Sequence, residues 1–233
     1  MNKTDAIWIT GASSGIGKSL AIKFSENNYK VIGTARRIEN INDLNSSNSL
    51  NVVSYKNDIS KIEEISQFYS EIKKNYSITC LINNAGITSF KPFKDNTVNE
   101  IESIIDTNLK GSIYSVKTVL PEMIERKSGL IINILSVAAN TVFTNSSIYA
   151  ASKAGLAAFA KVLREELREY NIPVINIYPG ATSTEIWPEK TIEKFSHRMM
   201  NSTKLADLIF DIYKNSSNLS PEEIVVRPIT GDL

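Results

Sequence analysis

The strongest constraint on the fold lies near the start of the chain. Residues 6–10 (Ala-Ile-Trp-Ile-Thr) are a short apolar run that reads as a strand. Thr10-Gly11-Ala12-Ser13-Ser14-Gly15-Ile16-Gly17 follows, and an amphipathic helix is expected over 18–26. Strand, glycine-rich turn and helix in this order build a phosphate-binding corner. Gly11 permits the tight turn, Gly15 lets a pyrophosphate approach the backbone, and Gly17 lets the helix pack closely on the strand. The helix start presents free N–H groups and a positive dipole end to phosphate. Gly11, Ser13, Ser14, Gly15, Ile16 and Gly17 are therefore the candidate dinucleotide contacts, with Ser13 and Ser14 adding hydroxyl donors. The spacing is G-x-x-x-G-x-G rather than the commoner G-x-G-x-x-G, so the loop alone leaves a flexible turn as the alternative.

A chain that opens this way needs a parallel sheet to continue it, and the rest of the sequence supplies one. Apolar runs at 30–34, 51–55, 78–83, 130–135 and 173–178 read as further strands. Helical segments fall between them at 61–74, 98–126 (with a bend), and 147–169. A last helix at 204–214 and a short strand at 224–227 close the pattern. Alternating strands and helices imply a doubly wound parallel sheet with helices on both faces. Nearly continuous apolar strands fit a sheet buried on both sides. The expectation is one α/β, Rossmann-like domain of about seven strands spanning residues 1–233, a length that one α/β domain can reach. The Asn- and Ser-rich stretch 38–50 reads as an irregular surface crossing.

Chemistry concentrates near the middle. Tyr149 and Lys153 stand four residues apart, on one face of a helix. A free tyrosine titrates near 10. A neighbouring ammonium favours the phenolate and is expected to lower that value, which brings the phenol toward acid–base work at neutral pH. Ser136 follows the run 130–135, at the carboxyl end of a strand, where open α/β sheets bind their ligands. Taken alone, a Tyr-x-x-x-Lys pair is more often ordinary helix surface.

Composition removes other chemistries. His197 is the only histidine and Cys80 the only cysteine, so common zinc-ligand patterns are unavailable. His197 sits in a polar stretch and no G-x-S-x-G elbow is present, which argues against a serine hydrolase. Cys80 lies in an apolar run and reads as packing. The net charge is +1 with no block of like charge, so neither nucleic acid nor a membrane surface is an expected partner. No leader segment and no membrane-length apolar run is seen, and a cytoplasmic location is expected.

The second strand candidate ends Gly33-Thr34-Ala35-Arg36-Arg37. An acid is expected there in an NAD-binding corner, on the ribose hydroxyls. Ala35 stands in its place and Arg36 follows. A guanidinium binds a 2′-phosphate bidentately where a carboxylate would repel it. NADP(H) is therefore expected over NAD(H), with Arg36 the main contact and Arg37 the second. A solvated turn is the alternative.

Thr10 to Gly17, Asn83-Asn84-Ala85-Gly86, Ser136, Tyr149-x-x-x-Lys153 and Pro179-Gly180 together resemble the short-chain dehydrogenase/reductase family, in the expected order from about Asp5 to Thr184. The resemblance implies that Tyr149 is the general acid/base, that Ser136 hydrogen-bonds the substrate oxygen, and that Lys153 both lowers the Tyr149 pKa and holds the nicotinamide ribose. It implies a fourth catalytic position at Asn108, with a packing role as the alternative. It implies adenine contacts at Asp58 and Ile59, although Asp58 or Ser60 equally suits a helix N-cap. Asn84, Ala85 and Gly86 become cofactor-region residues. Pro179, Gly180 and Thr184 become nicotinamide contacts, with Thr182 a competing candidate.

Residues 185–202 are expected to close over substrate, with Ile186, Trp187, Phe195, Met199 and Met200 as an apolar wall; an ordinary surface helix is the alternative. Residues 142–145, including Phe143, would form the opposite wall. No arginine cluster marks a carboxylate or phosphate substrate. A small to medium, mostly apolar ketone, aldehyde or 3-oxoacyl compound is expected. The main reading is an NADP(H)-dependent carbonyl reductase/alcohol dehydrogenase. The rivals are a 3-oxoacyl-thioester reductase, for which Lys117, Arg126 and Lys127 are scattered basic candidates, and a non-catalytic NADPH sensor. Apolar residues on more than one helix face (Leu156, Phe159, Val162, Leu163), together with the resemblance, imply a homodimer or homotetramer.

Overall fold

The computed structural model describes residues 3–39, 51–216 and 219–233. Positions 40–50 of the expected surface crossing lie outside them. The strands are β1 (Thr4–Thr10), β2 (Val31–Ala35), β3 (Val52–Lys56), β4 (Tyr76–Asn83), β5 (Leu130–Ile134), β6 (Val174–Pro179), β7 (Thr182–Ser183), β8 (Met200–Asn201) and β9 (Glu223–Val226). The helices are α1 (Gly15–Glu26), α2 (Ile62–Ile72), α3 (Val98–Ile105), α4 (Gly111–Arg126), α5 (Ser147–Leu167), α6 (Glu189–Phe195) and α7 (Ser202–Asn215).

Seven strands form one parallel sheet in the order β3-β2-β1-β4-β5-β6-β9. The expected doubly wound α/β architecture is present. The chain reverses its direction of growth between β1 and β4, and open α/β sheets bind their ligands outside the carboxyl ends at such a point.

Both faces of the central strands are covered, which is why β1, β2, β4, β5 and β6 are largely apolar. Ile7 and Ile9 of β1 pack with Leu20, Ala21 and Phe24 of α1 and with Leu205, Ile209 and Phe210 of α7. Ala6 and Trp8 face the opposite layer, built from α2, α4 and α5 around Ile65, Phe68, Val116, Val119 and Leu163.

Three departures from the sequence pattern have physical causes. α1 begins at Gly15 rather than 18, because the glycine turn itself enters the helix. The expected helix over 98–126 is two helices joined by a π-helical turn, Asp106–Lys110. A π turn inserts one extra residue into the ladder and redirects a side chain; here it turns Asn108 fully inward. The apolar excess on α5 is smaller than expected. Leu156 and Leu163 are buried inside the protomer, Phe159 is partly buried, and Val162 alone of the four is exposed.

Asn83, Asn133, Asn176 and Glu223 stand in register on four adjacent strands. Asn83 Nδ2 donates to Asn133 Oδ1 (2.9 Å), Asn133 Nδ2 to Asn176 Oδ1 (3.0 Å), and Asn176 Nδ2 to Glu223 Oε1 (3.3 Å). The sequence points to the β4 end of this ladder, where the amides of Asn83-Asn84 can tie neighbouring strands, but not to its continuation through Asn133 and Asn176 to Glu223.

Candidate active site

The glycine loop is tightly built. Gly11 has φ +68° and a Cβ there would stand 2.8 Å from Ala85 Cα, so only glycine fits. A Cβ on Gly17 would fall 2.3 Å from the Gly11 carbonyl oxygen and 2.4 Å from Asn84 Nδ2. Gly17 therefore makes room for the loop and Asn84, rather than for the strand as such. Thr10 Oγ1 accepts from the Asn84 and Ala85 amides (3.0 and 3.1 Å), and Asn84 Nδ2 donates to the Thr10 and Gly11 carbonyls (3.0 and 3.2 Å). These bonds staple the ends of β1 and β4 together at the switch point. Ser14 is the N-cap of α1, and its hydroxyl takes no helix N–H.

A cavity of about 640 Å³ runs along these strand ends. At one end it is lined by Arg36, Arg37, Asp58 and Ile59, along its floor by Gly11, Ser13, Ser14, Gly15 and Ile16, and beyond them by Asn84, Ala85 and Gly86. At the other end it meets Ser136, Tyr149, Lys153, Pro179, Gly180, Thr182, Thr184, Phe143 and Trp187. Thus nearly every candidate catalytic and cofactor residue singled out from the sequence lines one space. Among those, Gly17 and Asn108 are the exceptions, and both act from behind it.

Asp58 does not cap α2. Its Oδ1 accepts from the Ser60 amide (3.1 Å) and hydroxyl (2.8 Å) in a tight turn, and the N-cap is Lys61, without a side-chain bond. The Asp58 amide donates instead to Glu64 Oε2 (2.9 Å). The capping alternative for Asp58 and Ser60 is thereby corrected.

The three candidate catalytic groups come together. Ser136 follows β5 and caps a short 3₁₀ turn, its Oγ accepting from the Ala138 amide (3.1 Å). Its hydroxyl hydrogen-bonds Tyr149, which favours the phenolate. Lys153 is 4% exposed and donates from Nζ to the Ile134 carbonyl (2.7 Å). Its ammonium stands 5.8 Å from the Tyr149 ring centroid. Burial lowers Lys153 to about 8. Burial also raises Tyr149, more than the Ser136 bond lowers it. This direction corrects the sequence expectation that Lys153 brings the phenol down. The reason is desolvation: an apolar surround penalises both charged forms.

Asn108 lies at the π turn with its amide fully committed. Oδ1 accepts from the Ile87 amide (2.8 Å), and Nδ2 donates to the Ile87 carbonyl (2.9 Å) and Ser152 Oγ (3.0 Å). Ser152 Oγ donates to the Tyr149 carbonyl (2.7 Å). Asn108 therefore holds both the loop after β4 and the helical turn that carries Tyr149.

The segment 185–202 contains α6, a 3₁₀ turn and β8, which pairs with β7. Only its first part reaches the cavity, through Glu185, Ile186 and Trp187. Phe195, Met199 and Met200 do not line it, so the expected apolar wall is narrower than the sequence implied. The segment turns after Trp187 to pair β8 with β7, which carries the later residues away. Thr182 and Thr184 both line the cavity. Thr182 Oγ1 donates to the Gly180 carbonyl (3.1 Å), while Thr184 lies over the glycine loop, 3.0 Å from where a Gly15 Cβ would stand. Cys80 is buried, and burial pushes its thiol up, as a packing residue requires. Among the described residues no cluster of potential metal ligands occurs, and no helix is long and apolar enough to cross a membrane.

The family described as short chain dehydrogenase matches residues 5–194. The chain belongs to the short-chain dehydrogenase family. It is 30% identical over 225 residues to an uncharacterized oxidoreductase of Staphylococcus aureus (strain MRSA252), covering 95% of this chain and 96% of that protein. It is 33% identical over 220 residues to the NADP-dependent 3-hydroxy acid dehydrogenase of Salmonella typhi, covering 94% of this chain and 85% of that protein. Among solved structures, this short-chain dehydrogenase resembles the closed form of serine dehydrogenase complexed with NADP+ (TM-score 0.92, 26% identity, 98% of this chain and 96% of that one). It also resembles a metagenomic short-chain oxidoreductase in complex with NADP (TM-score 0.84, 27% identity, 97% of each chain).

Proposed function

We propose that this protein is an NADP(H)-dependent oxidoreductase of the cytoplasm that interconverts a carbonyl compound and a secondary alcohol, working as a homodimer or homotetramer of a single domain. The observation that carries the reading is the cavity itself, which joins the glycine loop to Ser136, Tyr149 and Lys153 in one continuous space. The donors fit the dinucleotide along its length. Arg36 and Arg37 suit a 2′-phosphate, with no carboxylate at position 35 to repel it. The start of α1 and the hydroxyls of Ser13 and Ser14 suit the pyrophosphate. Asp58 and Ile59 flank the adenine end. Asn84, Ala85 and Gly86 form the floor, and Pro179, Gly180, Thr182 and Thr184 bound the nicotinamide end. The names of the Salmonella relative and of the two structural neighbours point to the same cofactor.

A nicotinamide held at that end of the cavity would supply or accept the hydride at the substrate carbon. Tyr149 gives its phenolic proton to the carbonyl oxygen in reduction and takes it back in oxidation. A phenol raised by burial is well placed as the acid, because it stays protonated until substrate oxygen develops charge. Ser136 donates to the same oxygen, a contribution of about 3 kcal/mol at the transition state. Lys153 holds the nicotinamide ribose and restores charge beside the phenol. Asn108 is a positioning residue that fixes Ile87 and Ser152. Phe143 and Trp187 bound the substrate, a small to medium, largely apolar carbonyl; a 3-hydroxy acid is one member of that range suggested by the relative's name. The 3-oxoacyl-thioester alternative loses one basic candidate, since Arg126 is spent on Ser77 Oγ and the Ile78 carbonyl (both 2.8 Å).

The test follows nicotinamide absorbance over a panel of carbonyls and alcohols with both cofactors. Tyr149→Phe should keep NADPH affinity while turnover falls by about a thousandfold or more. Arg36→Ala should weaken NADPH and narrow the preference over NADH. Undiminished turnover in the first variant would refute the acid role, and an unchanged cofactor preference in the second would refute the phosphate contact.

A further inference from the structure

Phe90 has no part in the sequence-derived site, yet it lines the cavity. Its ring stacks on the indole of Trp187, with centroids 4.8 Å apart and planes 7° from parallel. The partners come from separate parts of the fold: Phe90 from the loop after β4, Trp187 from the segment after β7. Each is fixed by its own neighbours. The Trp187 indole N–H donates to the Thr182 carbonyl (3.0 Å). The Phe90 loop is held at Ile87 by both ends of the Asn108 amide, and Ser89 Oγ bonds Asn96 Oδ1 (2.6 Å). That loop starts at Gly86, where a Cβ would stand 3.5 Å from Lys153 Nζ. The stacked pair therefore bridges the cavity at its catalytic end, not at the Arg36 end. Phe90 is 39% exposed, so its outer side faces solvent at the mouth.

We infer that Phe90 is a specificity-determining residue, clasped to Trp187 to form the wall that limits substrate bulk beside Tyr149. The inference rests on the carbonyl–alcohol reading above and narrows its substrate class. Two flat rings held parallel offer an apolar surface with no free donor, because the indole N–H is already spent on Thr182. Such a wall accepts a compact apolar substituent on the carbonyl carbon and excludes a bulky one. Trp187 is anchored and Phe90 is the partner whose truncation opens the mouth.

The test uses the full chain, with Phe90→Ala and Phe90→Leu, and two ketone probes, 2-butanone and acetophenone. Phe90→Ala should raise the ratio of kcat/KM for acetophenone over 2-butanone by about tenfold, through KM, with NADPH affinity unchanged. Phe90→Leu keeps apolar volume and carries the same comparison if the alanine variant does not fold. A second readout is independent of turnover. The chain has two tryptophans, and Trp8 is fully buried and bonded to Thr34 Oγ1 (3.0 Å). Acrylamide quenching therefore reports mainly on Trp187. It should increase in both Phe90 variants, and Trp187→Phe should abolish that increase. An unaltered selectivity ratio in an active, NADPH-binding variant overturns the inference and leaves the reaction standing. Unaltered quenching overturns the clasp. A wild-type enzyme that reduces no carbonyl with NADPH removes the reaction itself, and this inference with it.

Discussion

Lys153 shows how far a single residue's environment departs from what spacing implies. The Tyr149-to-Lys153 interval places both side chains on one helix face, and the structure agrees. Spacing carries no information about solvent, however, and it is burial that lowers Lys153 to about 8 and raises Tyr149. The consequence for stability has a definite sign. Between about 8 and the ordinary lysine value of 10.5 the unfolded chain holds a proton on Lys153 that the native protein has released. Stability then rises with pH across that window. Tyr149 does not interfere below its ordinary value of 10.0, because it is neutral in both states. Comparing wild type with Lys153→Met by chemical denaturation isolates the effect. The wild type should gain stability relative to the variant as pH climbs from about 8, while the lost bond to Ile134 contributes only a constant offset. A difference that stays flat over that range would show that Lys153 is not desolvated in the folded protein.

At the scale of elements, the legible part was the part set by side-chain period. Apolar runs marked each strand of the main sheet, and the glycine turn marked the first βα corner. Boundaries shifted by one to three residues where a turn residue joined a helix, as Gly15 did. The π turn at Asp106–Lys110 was legible only as a bend, because its cause is tertiary: Asn108 turns inward to bond Ile87 and Ser152, residues distant in sequence. Phe90 was missed for the same reason, since nothing local tells that its ring meets Trp187. The asparagine ladder was legible only at Asn83-Asn84, because Asn133 and Asn176 each look like a single polar residue in an apolar run. Its energetic weight is testable. Asn133 accepts from Asn83 and donates to Asn176, so Asn133→Leu keeps approximate volume while orphaning two buried amide groups. Each orphan costs roughly 1–3 kcal/mol, for a total loss of about 3 kcal/mol in urea unfolding. A loss well under 1 kcal/mol would mean that the ladder adds little to the sheet.

At the scale of the whole molecule, the cavity lies along the strand ends, and none of Ala151, Ala154, Ala158 and Val162 lines it. What remains unpaired is the outer face of α5. Ala151, Ala154, Ala158 and Val162 are exposed there and recur at helical spacing, and Val162 is 62% exposed. Small residues let two backbones approach closely, and a helix of 21 residues is about 30 Å long. A two-fold axis across that face would set the stripe against its own copy, the self-complementary arrangement that most homodimers use. The half-buried Phe159 beside it adds apolar area. A stable pair needs about 800 Å² from each partner, so the patch would extend beyond this one helix face. Val162→Asp would place two like charges near the axis, where they lose water and repel. Sedimentation at micromolar concentration should then find wild type as a dimer or tetramer and the variant shifted toward monomer, with NADPH affinity retained because Val162 does not line the cavity. A variant that sediments as the wild type does would move the interface elsewhere. A wild type that is monomeric throughout would mean that exposed alanines on α5 serve only to end the core.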